Sequence, residues 1–114
     1  MRRPVPYSAS TPFNKPVDAL DYEIAQEKAS ALGRLGRTLE KSLHALDTFD
    51  ASRNQGSAIA KEAGDRRHKL TTDAAHALWQ FIVQREACGL RDSRQIMRDY
   101  RVPVEVRNRM GAFP

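Results

Sequence analysis

The chain has 114 residues, with 19 Lys and Arg against 14 Asp and Glu, a single cysteine and six prolines. This length suits one domain with a modest core, and one cysteine excludes an internal disulfide. No apolar run approaches the roughly 18–20 residues of a membrane span or forms a secretory signal, so we expect a cytoplasmic protein without a membrane partner.

The charge excess of +5 lies at the two ends of the chain. Residues 1–17 and residues 91–114 each carry a net charge of +3, whereas residues 18–90 carry ten basic and eleven acidic side chains. Four of the six prolines also fall in the first 16 residues. Because proline removes a backbone donor and disfavours helix at the preceding residue, residues 1–17 are predicted to form a flexible basic tail. A single helical domain is predicted over residues 18–111.

The first predicted helix covers about residues 18–50. Its apolar residues recur at helical spacing on one face, and Asp18 is suited to cap its start. Ala29, Gly33 and Gly36 form a row of small residues beside the leucines of this face. Each glycine costs about 1 kcal/mol relative to alanine inside a helix. The row therefore predicts that a second helix approaches closely at this place.

The second predicted helix covers residues 58–88 and follows a turn at residues 51–57, which are rich in turn-forming side chains. Its segment AAHALWQFIV, residues 74–83, is apolar nearly all round, which is typical of a buried helix. Gly89 is suited to end the helix because glycine readily adopts the left-handed conformation of a C-terminal cap.

Two short helices are predicted at the C-terminus, over residues 93–100 and 104–110. Asp92 with Gln95 forms a capping box for the first of them, and Pro103 suits the first position of the second. No strand pattern is present. The predicted fold is therefore all-α, a long antiparallel helical hairpin with two short C-terminal helices.

The predicted hairpin is about 45 Å long, and one side of its apolar seam remains uncovered because the C-terminal helices are too short. We therefore expect a homo-oligomer, most simply a dimer whose two hairpins complete a four-helix bundle. The residues predicted to face the second copy are Ala29, Leu32, Gly33, Gly36, Leu39, Leu46, Trp79 and Val83.

Three segments carry a family resemblance: DYEIAQEKASALGRLGR at 21–37, QREACGLRDSR at 84–94 and MRDYRVPVEVRNRMG at 97–111. Together they resemble a family of small, uncharacterised all-helical proteins of alphaproteobacteria, and the similarity covers most of residues 18–111. The family more usually has glycine at the position of Arg101. The resemblance implies an all-helical fold and a bacterial cytoplasmic setting, and it implies no site.

Residues 91–111 have the outline of a helix-turn-helix, which suggests a small DNA-associated regulator as an alternative function. The details fit poorly, because Met97 is bulky where the motif usually has a small residue and the second helix has barely two turns. We favour a basic helical lid packed on the hairpin, with nucleic acid as the less favoured partner. The candidate phosphate contacts are Arg94, Arg98, Arg101, Arg107 and Arg109.

The sequence contains only weaker signals for a metal site or a catalytic nucleophile. Two Asp-x-x-His pairs lie on the second helix, Asp65 with His68 and Asp73 with His76, but both fall mainly on its polar face. We therefore predict no metal or cofactor. Cys88 lies at the C-terminal end of a helix, which is the wrong end of the dipole to favour a thiolate. An enzyme with a site near Cys88 is the weakest alternative, and we predict a non-catalytic protein.

Charged residues within the apolar arcs are the remaining unusual feature. Lys28, Arg67 and Arg85 either extend to solvent or form interhelical ion pairs that fix the register of the helices. The candidate polar cluster, with a structural role first and a ligand role second, is Arg85, Glu86, Arg91 and Asp92. The function predicted from the sequence is a self-associating interaction or scaffold module.

Overall fold

The computed structural model describes residues 16–53 and 60–110, and these form four α-helices. Their bounds are α1 Pro16–Arg53, α2 Ala60–Ala87, α3 Ser93–Asp99 and α4 Val104–Arg109. The predicted all-helical class, with two long and two short helices, is confirmed for these residues. Most of the predicted tail and of the predicted turn lies outside the described residues. Helix α1 begins at Pro16, within that tail, and proline is well tolerated at the start of a helix.

The hairpin of α1 and α2 is antiparallel, because contacts between the two helices run in opposite directions along the chain. Asp50 near the end of α1 meets Arg67 near the start of α2, and Lys28 near the start of α1 meets Gln84 near the end of α2. Between these ends lies a core of leucine, alanine and phenylalanine side chains. The buried apolar residues are Leu39, Leu46, Ala74, Ala75, Ala77, Leu78, Phe81, Ile96 and Val106.

Helices α3 and α4 pack on the hairpin, each through one buried side chain. Ile96 of α3 is 4% exposed and Val106 of α4 is fully buried, and α4 packs against α2. Asp92 caps α3, since its carboxylate accepts a hydrogen bond from the backbone N–H of Arg94 at 3.2 Å. Side-chain acceptors at this position satisfy the free N–H groups of a helix start. The predicted capping by Asp92 is thus confirmed.

A close approach between helices occurs at Gly36, which is buried. A Cβ atom at Gly36 would lie 3.1 Å from the Tyr100 hydroxyl and 3.3 Å from Cε1 of Phe81. Gly33 is exposed, and a Cβ atom there would approach only the end of the Arg37 side chain at 3.5 Å. The close approach predicted for this row of small residues therefore exists within the chain at Gly36, and not at Gly33.

The segment 74–83 of α2 is buried on only part of its circumference. Ala74, Leu78 and Phe81 are buried, and α2 packs against α1 and α4. Trp79 and Val83 on the far side are 42% and 44% exposed. Burial of this segment on all sides would need the predicted second copy over Trp79 and Val83, and that part stays a prediction.

Two turns share one hydrogen-bond pattern. After α2, the N–H of Leu90 donates to the carbonyl of Arg85, and Gly89 has a φ of +86°. After α3, the N–H of Val102 donates to the carbonyl of Met97, and Arg101 has a φ of +51°. Both are helix ends in which one residue adopts the left-handed conformation, which glycine tolerates best. The predicted cap at Gly89 is confirmed.

Candidate functional site

Arg67 joins three helices through its guanidinium group. Its Nε and Nη2 atoms donate to the two carboxylate oxygens of Asp50 on α1, at 2.8 and 3.0 Å. Its Nη1 and Nη2 atoms donate to the two oxygens of Glu105 on α4, both at 2.6 Å. Paired bonds of this kind suit the planar fork of arginine and are stronger than neutral hydrogen bonds. Arg67 therefore forms interhelical ion pairs, one of the two predicted alternatives.

The pKa values of both carboxylates in this cluster are shifted. The hydrogen bonds from Arg67 lower the pKa of Asp50 and of Glu105 below their ordinary values, because they favour the charged form. The same bonds raise the pKa of Arg67. All three groups are partly exposed to solvent. The cluster therefore links three helices at the end of the hairpin where α1 ends and α2 begins, which we call the turn end. Its three charged groups are hydrogen-bonded to one another.

A second tie between α4 and α2 lies close to the first. Nη1 of Arg109 donates to Nδ1 of His68 at 2.6 Å and to the hydroxyl of Thr72 at 3.1 Å. A guanidinium group can only donate, so the imidazole of His68 is the acceptor in this contact. Arg109, a candidate phosphate contact, is therefore engaged within the chain.

The predicted polar cluster at residues 85–92 is not brought together. Within the described residues, no ion pair links Arg85 to Glu86 or to Asp92. The guanidinium of Arg85 instead lies over the ring of Phe81, 6.0 Å from its centroid, within the range of a cation–π contact. The carboxylate of Asp92 instead caps the start of α3. Arg91 and Glu86 are exposed.

The other candidate phosphate contacts lie on the surface. Arg94, Arg98, Arg101 and Arg107 are exposed, and Arg94 is 4.0 Å from the carboxylate of Asp92. Helix α4, the second helix of the predicted helix-turn-helix, has six residues and packs on α2 through Val106. This position matches the favoured interpretation of a helical lid.

The residues predicted to face a second copy divide into two groups. Leu39, Leu46 and Gly36 are buried inside the chain. Leu39 and Leu46 belong to one core cluster with side chains of α2, α3 and α4, so the seam is not uncovered at these two residues. The half-buried or exposed members are Ala29, Leu32, Gly33, Trp79 and Val83.

The open end of the hairpin exposes apolar side chains that sequence reasoning missed. Helix α2 ends at Ala87, where Gln84 and Cys88 contact the backbone carbonyl of Lys28 on α1. Residues 16–27 of α1 therefore extend beyond α2 by about 18 Å, and we call this segment the overhang. Its Leu20 and Ile24 are 55% and 46% exposed. Single exposed apolar residues are ordinary, but two neighbours one turn apart form a stripe.

A groove of about 480 Å³ lies where the overhang meets the end of α2. It is lined by Asp21, Ile24, Ala25, Lys28, Ala29, Leu32, Ala87 and Cys88, and we call it the open-end groove. Cys88 is half-buried, with its sulfur 3.9 Å from the Lys28 carbonyl oxygen. The groove thus combines mainly apolar side chains with one cation and one anion.

The sequence contained a signal for the overhang in the residues that start α1 and end α2. The predicted helices, over residues 18–50 and 58–88, are nearly equal in length and predict no overhang. In the structure α1 has 38 residues and α2 has 28. The start at Pro16 and the cap at Gly89 both follow from known preferences of proline and glycine. If the two helices are paired residue by residue from the turn, a start at Pro16 and an end at Gly89 leave the first residues of α1 without α2 beside them, which predicts the overhang.

The histidines of the two Asp-x-x-His pairs make other contacts. His68 contacts Arg109, and His76 stacks on Trp79 with ring centroids 6.4 Å apart. The described ranges hold no group of three His, Cys, Asp or Glu side chains placed to hold a metal ion. No helix in the described part of the chain is both long and apolar enough to cross a membrane.

A family model described as a family of unknown function, DUF6665, matches residues 10–114. The chain belongs to this family. No curated protein and no solved structure matches the chain. The DUF6665 match agrees with the resemblance to an uncharacterised family, while its range among alphaproteobacteria and the cytoplasmic setting stay predictions. Membership in DUF6665 supplies no catalytic or binding residue, so the function has to be argued from the geometry.

Proposed function

We propose that the protein is a self-associating interaction module without catalysis, and that its homodimer contact lies at the open end of the hairpin. The observation that carries the proposal is the exposed stripe of Leu20 and Ile24 on the overhang. Burying an apolar side chain of this size stabilises a contact by about 1.5–3 kcal/mol. A second copy supplies an equal stripe, and symmetric pairing is the commonest form of association.

The position of the contact differs from the predicted full-length four-helix bundle. Leu39 and Leu46 are buried inside the chain, so the middle of the hairpin offers little uncovered apolar surface on that side. The overhang is short, and specific stable interfaces usually bury about 1,200–2,000 Å². We therefore expect a weak dimer, with a dissociation constant in the micromolar range.

The two alternative functions have less support from the same geometry. A DNA-associated regulator needs a helix free to enter a groove, whereas α4 is short and held on α2 by Val106 and by Arg109. An enzyme site near Cys88 needs an activated thiol, whereas Cys88 lies beyond the C-terminus of α2 next to a carbonyl oxygen.

Sedimentation velocity over a range of concentrations tests the proposal. We expect the mass to rise from that of one chain, 12.9 kDa, towards twice this value as the concentration increases. Ile24→Glu places a charge on the stripe and is expected to keep the protein monomeric. Val104→Glu is the matched control, because Val104 is 60% exposed but lies on α4. A wild type that stays monomeric at several hundred micromolar, well above the expected dissociation constant, contradicts the proposal.

A further inference from the structure

A cavity of about 300 Å³ lies at the turn end of the hairpin, where residues 43–50 of α1 meet the turn that joins α3 to α4, and we call it the turn-end cavity. Its apolar lining comes mainly from Leu43, Leu46 and Pro103. Small-molecule sites are concave and largely apolar, with a few polar groups that fix the orientation of the ligand, and their volumes begin at about 300 Å³. The cavity therefore has room for a small molecule, and its polar groups indicate which class of molecule fits.

Two groups of opposite charge line this cavity without being paired. Asp47 belongs to α1 and Arg101 to the turn after α3. Within the described residues, neither of them takes part in an ion pair of 4.0 Å or shorter. The other carboxylate of the lining, Asp50, is different because Arg67 donates to both of its oxygens. One carboxylate and one guanidinium group therefore remain available at the same cavity.

Other neighbouring opposite charges in this part of the molecule contact each other. Arg67 donates to carboxylates of α1 and α4 at 2.6–3.0 Å, and Lys69 lies 3.0 Å from Asp73. Asp47 and Arg101 depart from this pattern although they line one cavity. Two opposite charges that line a cavity without contacting each other are each free to bind the opposite charge of a ligand.

The backbone conformation of Arg101 is an independent observation at the same place. Its φ of +51° is left-handed, a conformation that glycine adopts at lower cost than arginine. Arg101 is exposed, and no ion pair within the described residues offsets this cost. Residues held in unfavourable backbone conformations are concentrated at ligand sites, where the side chain has a role. Binding a carboxylate would give the Arg101 side chain such a role.

We propose that the turn-end cavity binds a free α-amino acid with an apolar side chain. The ligand carboxylate contacts Arg101, because a guanidinium group binds a carboxylate through paired hydrogen bonds. The ligand ammonium group contacts Asp47, and the ligand side chain packs on Leu43 and Pro103. This inference goes beyond the proposed self-association and is independent of it, because the overhang lies at the opposite end of the hairpin.

Titration of isotope-labelled protein with L-leucine, followed by NMR, tests the class of ligand. We expect saturable shifts of the backbone amide signals of residues 43–50 and 100–103, with a dissociation constant of about 0.1–1 mM. Two analogues each lack one charge of L-leucine: 3-methylbutylamine has no carboxylate, and 4-methylpentanoate has no ammonium group. Each analogue should bind about tenfold more weakly, because it leaves one charged group of the cavity without its partner.

Two substitutions test the residues that bind the ligand. Arg101→Gly and Asp47→Asn are each expected to weaken the binding of L-leucine about tenfold. Arg101→Gly also relieves the left-handed conformation, so its loss of binding does not come from unfolding, and circular dichroism melting of each variant checks this. The matched controls are Arg107→Ala and Glu86→Gln, which alter exposed charges outside the cavity and should bind L-leucine as the wild type does.

Three results would overturn the proposed amino-acid site. The first is the absence of saturable shifts with L-leucine, L-valine and L-methionine at about 10 mM, well above the expected dissociation constant. The second is an affinity for either analogue equal to that for L-leucine, since only one charge would then be recognised. The third is binding that both Arg101→Gly and Asp47→Asn leave unchanged. Sedimentation measures self-association separately, so failure of the amino-acid site and failure of the proposed function are distinguishable.

Discussion

Arg101 occupies a backbone conformation that glycine would occupy at lower cost. Its φ is +51°, and the N–H of Val102 closes the turn by donating to Met97. The left-handed conformation costs a residue with a side chain roughly 1–2 kcal/mol. Gly89 closes the turn after α2 in the same way without this cost. The glycine expected at position 101 from the family resemblance thus has a physical explanation in this turn.

Replacing these two residues should shift stability in opposite directions. Arg101→Gly is expected to raise the free energy of unfolding by about 0.5–1 kcal/mol, since relief of the conformation exceeds the entropy cost of glycine. Gly89→Ala is expected to lower it by about 1 kcal/mol, although a Cβ atom there meets nothing within 4 Å. Urea unfolding measures both. A destabilised Arg101→Gly variant would contradict this explanation of the turn.

The glycines of the long helices test the packing within the chain. Gly33→Ala and Gly64→Ala are expected to stabilise the protein by about 1 kcal/mol each, because alanine favours helix and neither site is crowded. Gly36→Ala should gain less or lose stability, since its Cβ atom would press on Tyr100 and Phe81. Thermal unfolding of the three variants ranks them. Equal gains at all three sites would show that Gly36 is not a close contact.

At the scale of helices, the sequence predicted the elements better than their contacts. Periodicity and capping residues predicted four helices because these signals are local. The partners of Arg67 are 17 and 38 residues away along the chain. No local pattern shows which distant carboxylate will face a given arginine. The same limit explains why the sequence places Arg85 in a polar cluster although it lies over Phe81.

Removal of Arg67 should weaken the tie among α1, α2 and α4. Arg67→Met keeps the length of the side chain but loses the bonds to Asp50 and Glu105, and we expect a loss of about 1–2 kcal/mol at pH 7. Arg67→Lys should recover only part of this lost stability, because an ammonium group cannot make both paired contacts. Lys61→Met, which breaks an exposed pair, should change stability by less than about 0.5 kcal/mol.

The stability loss caused by Arg67→Met should depend on pH. The folded-state pKa values of Asp50 and Glu105 are lowered, so their stabilising effect is present above the unfolded values of about 4 and is lost as the pH falls through the folded values. The difference in the free energy of unfolding between wild type and Arg67→Met should therefore be largest at pH 7 and become smaller below about pH 4. Urea unfolding at several pH values measures it. A difference unchanged at low pH would contradict the ion-pair account.

At the scale of the whole molecule, the two ends of the hairpin differ. The turn end is tied by Arg67 and covered by α4. Among the described residues, the open end is formed by the overhang of α1, where Leu20 and Ile24 are exposed. The sequence predicted self-association along the whole seam, because the two C-terminal helices were expected to be too short to cover it. The difference in length directs the proposed contact to the overhang.

Hydrogen exchange of the overhang amides as a function of protein concentration tests this account most directly. A helix end with few tertiary contacts opens more readily than a helix in the core, so residues 18–27 should exchange faster than residues 36–46 in dilute solution. The account predicts that their protection increases with concentration as dimers form, whereas protection of residues 36–46 in the core stays constant. Protection of residues 18–27 that is independent of concentration would contradict the docking of two overhangs.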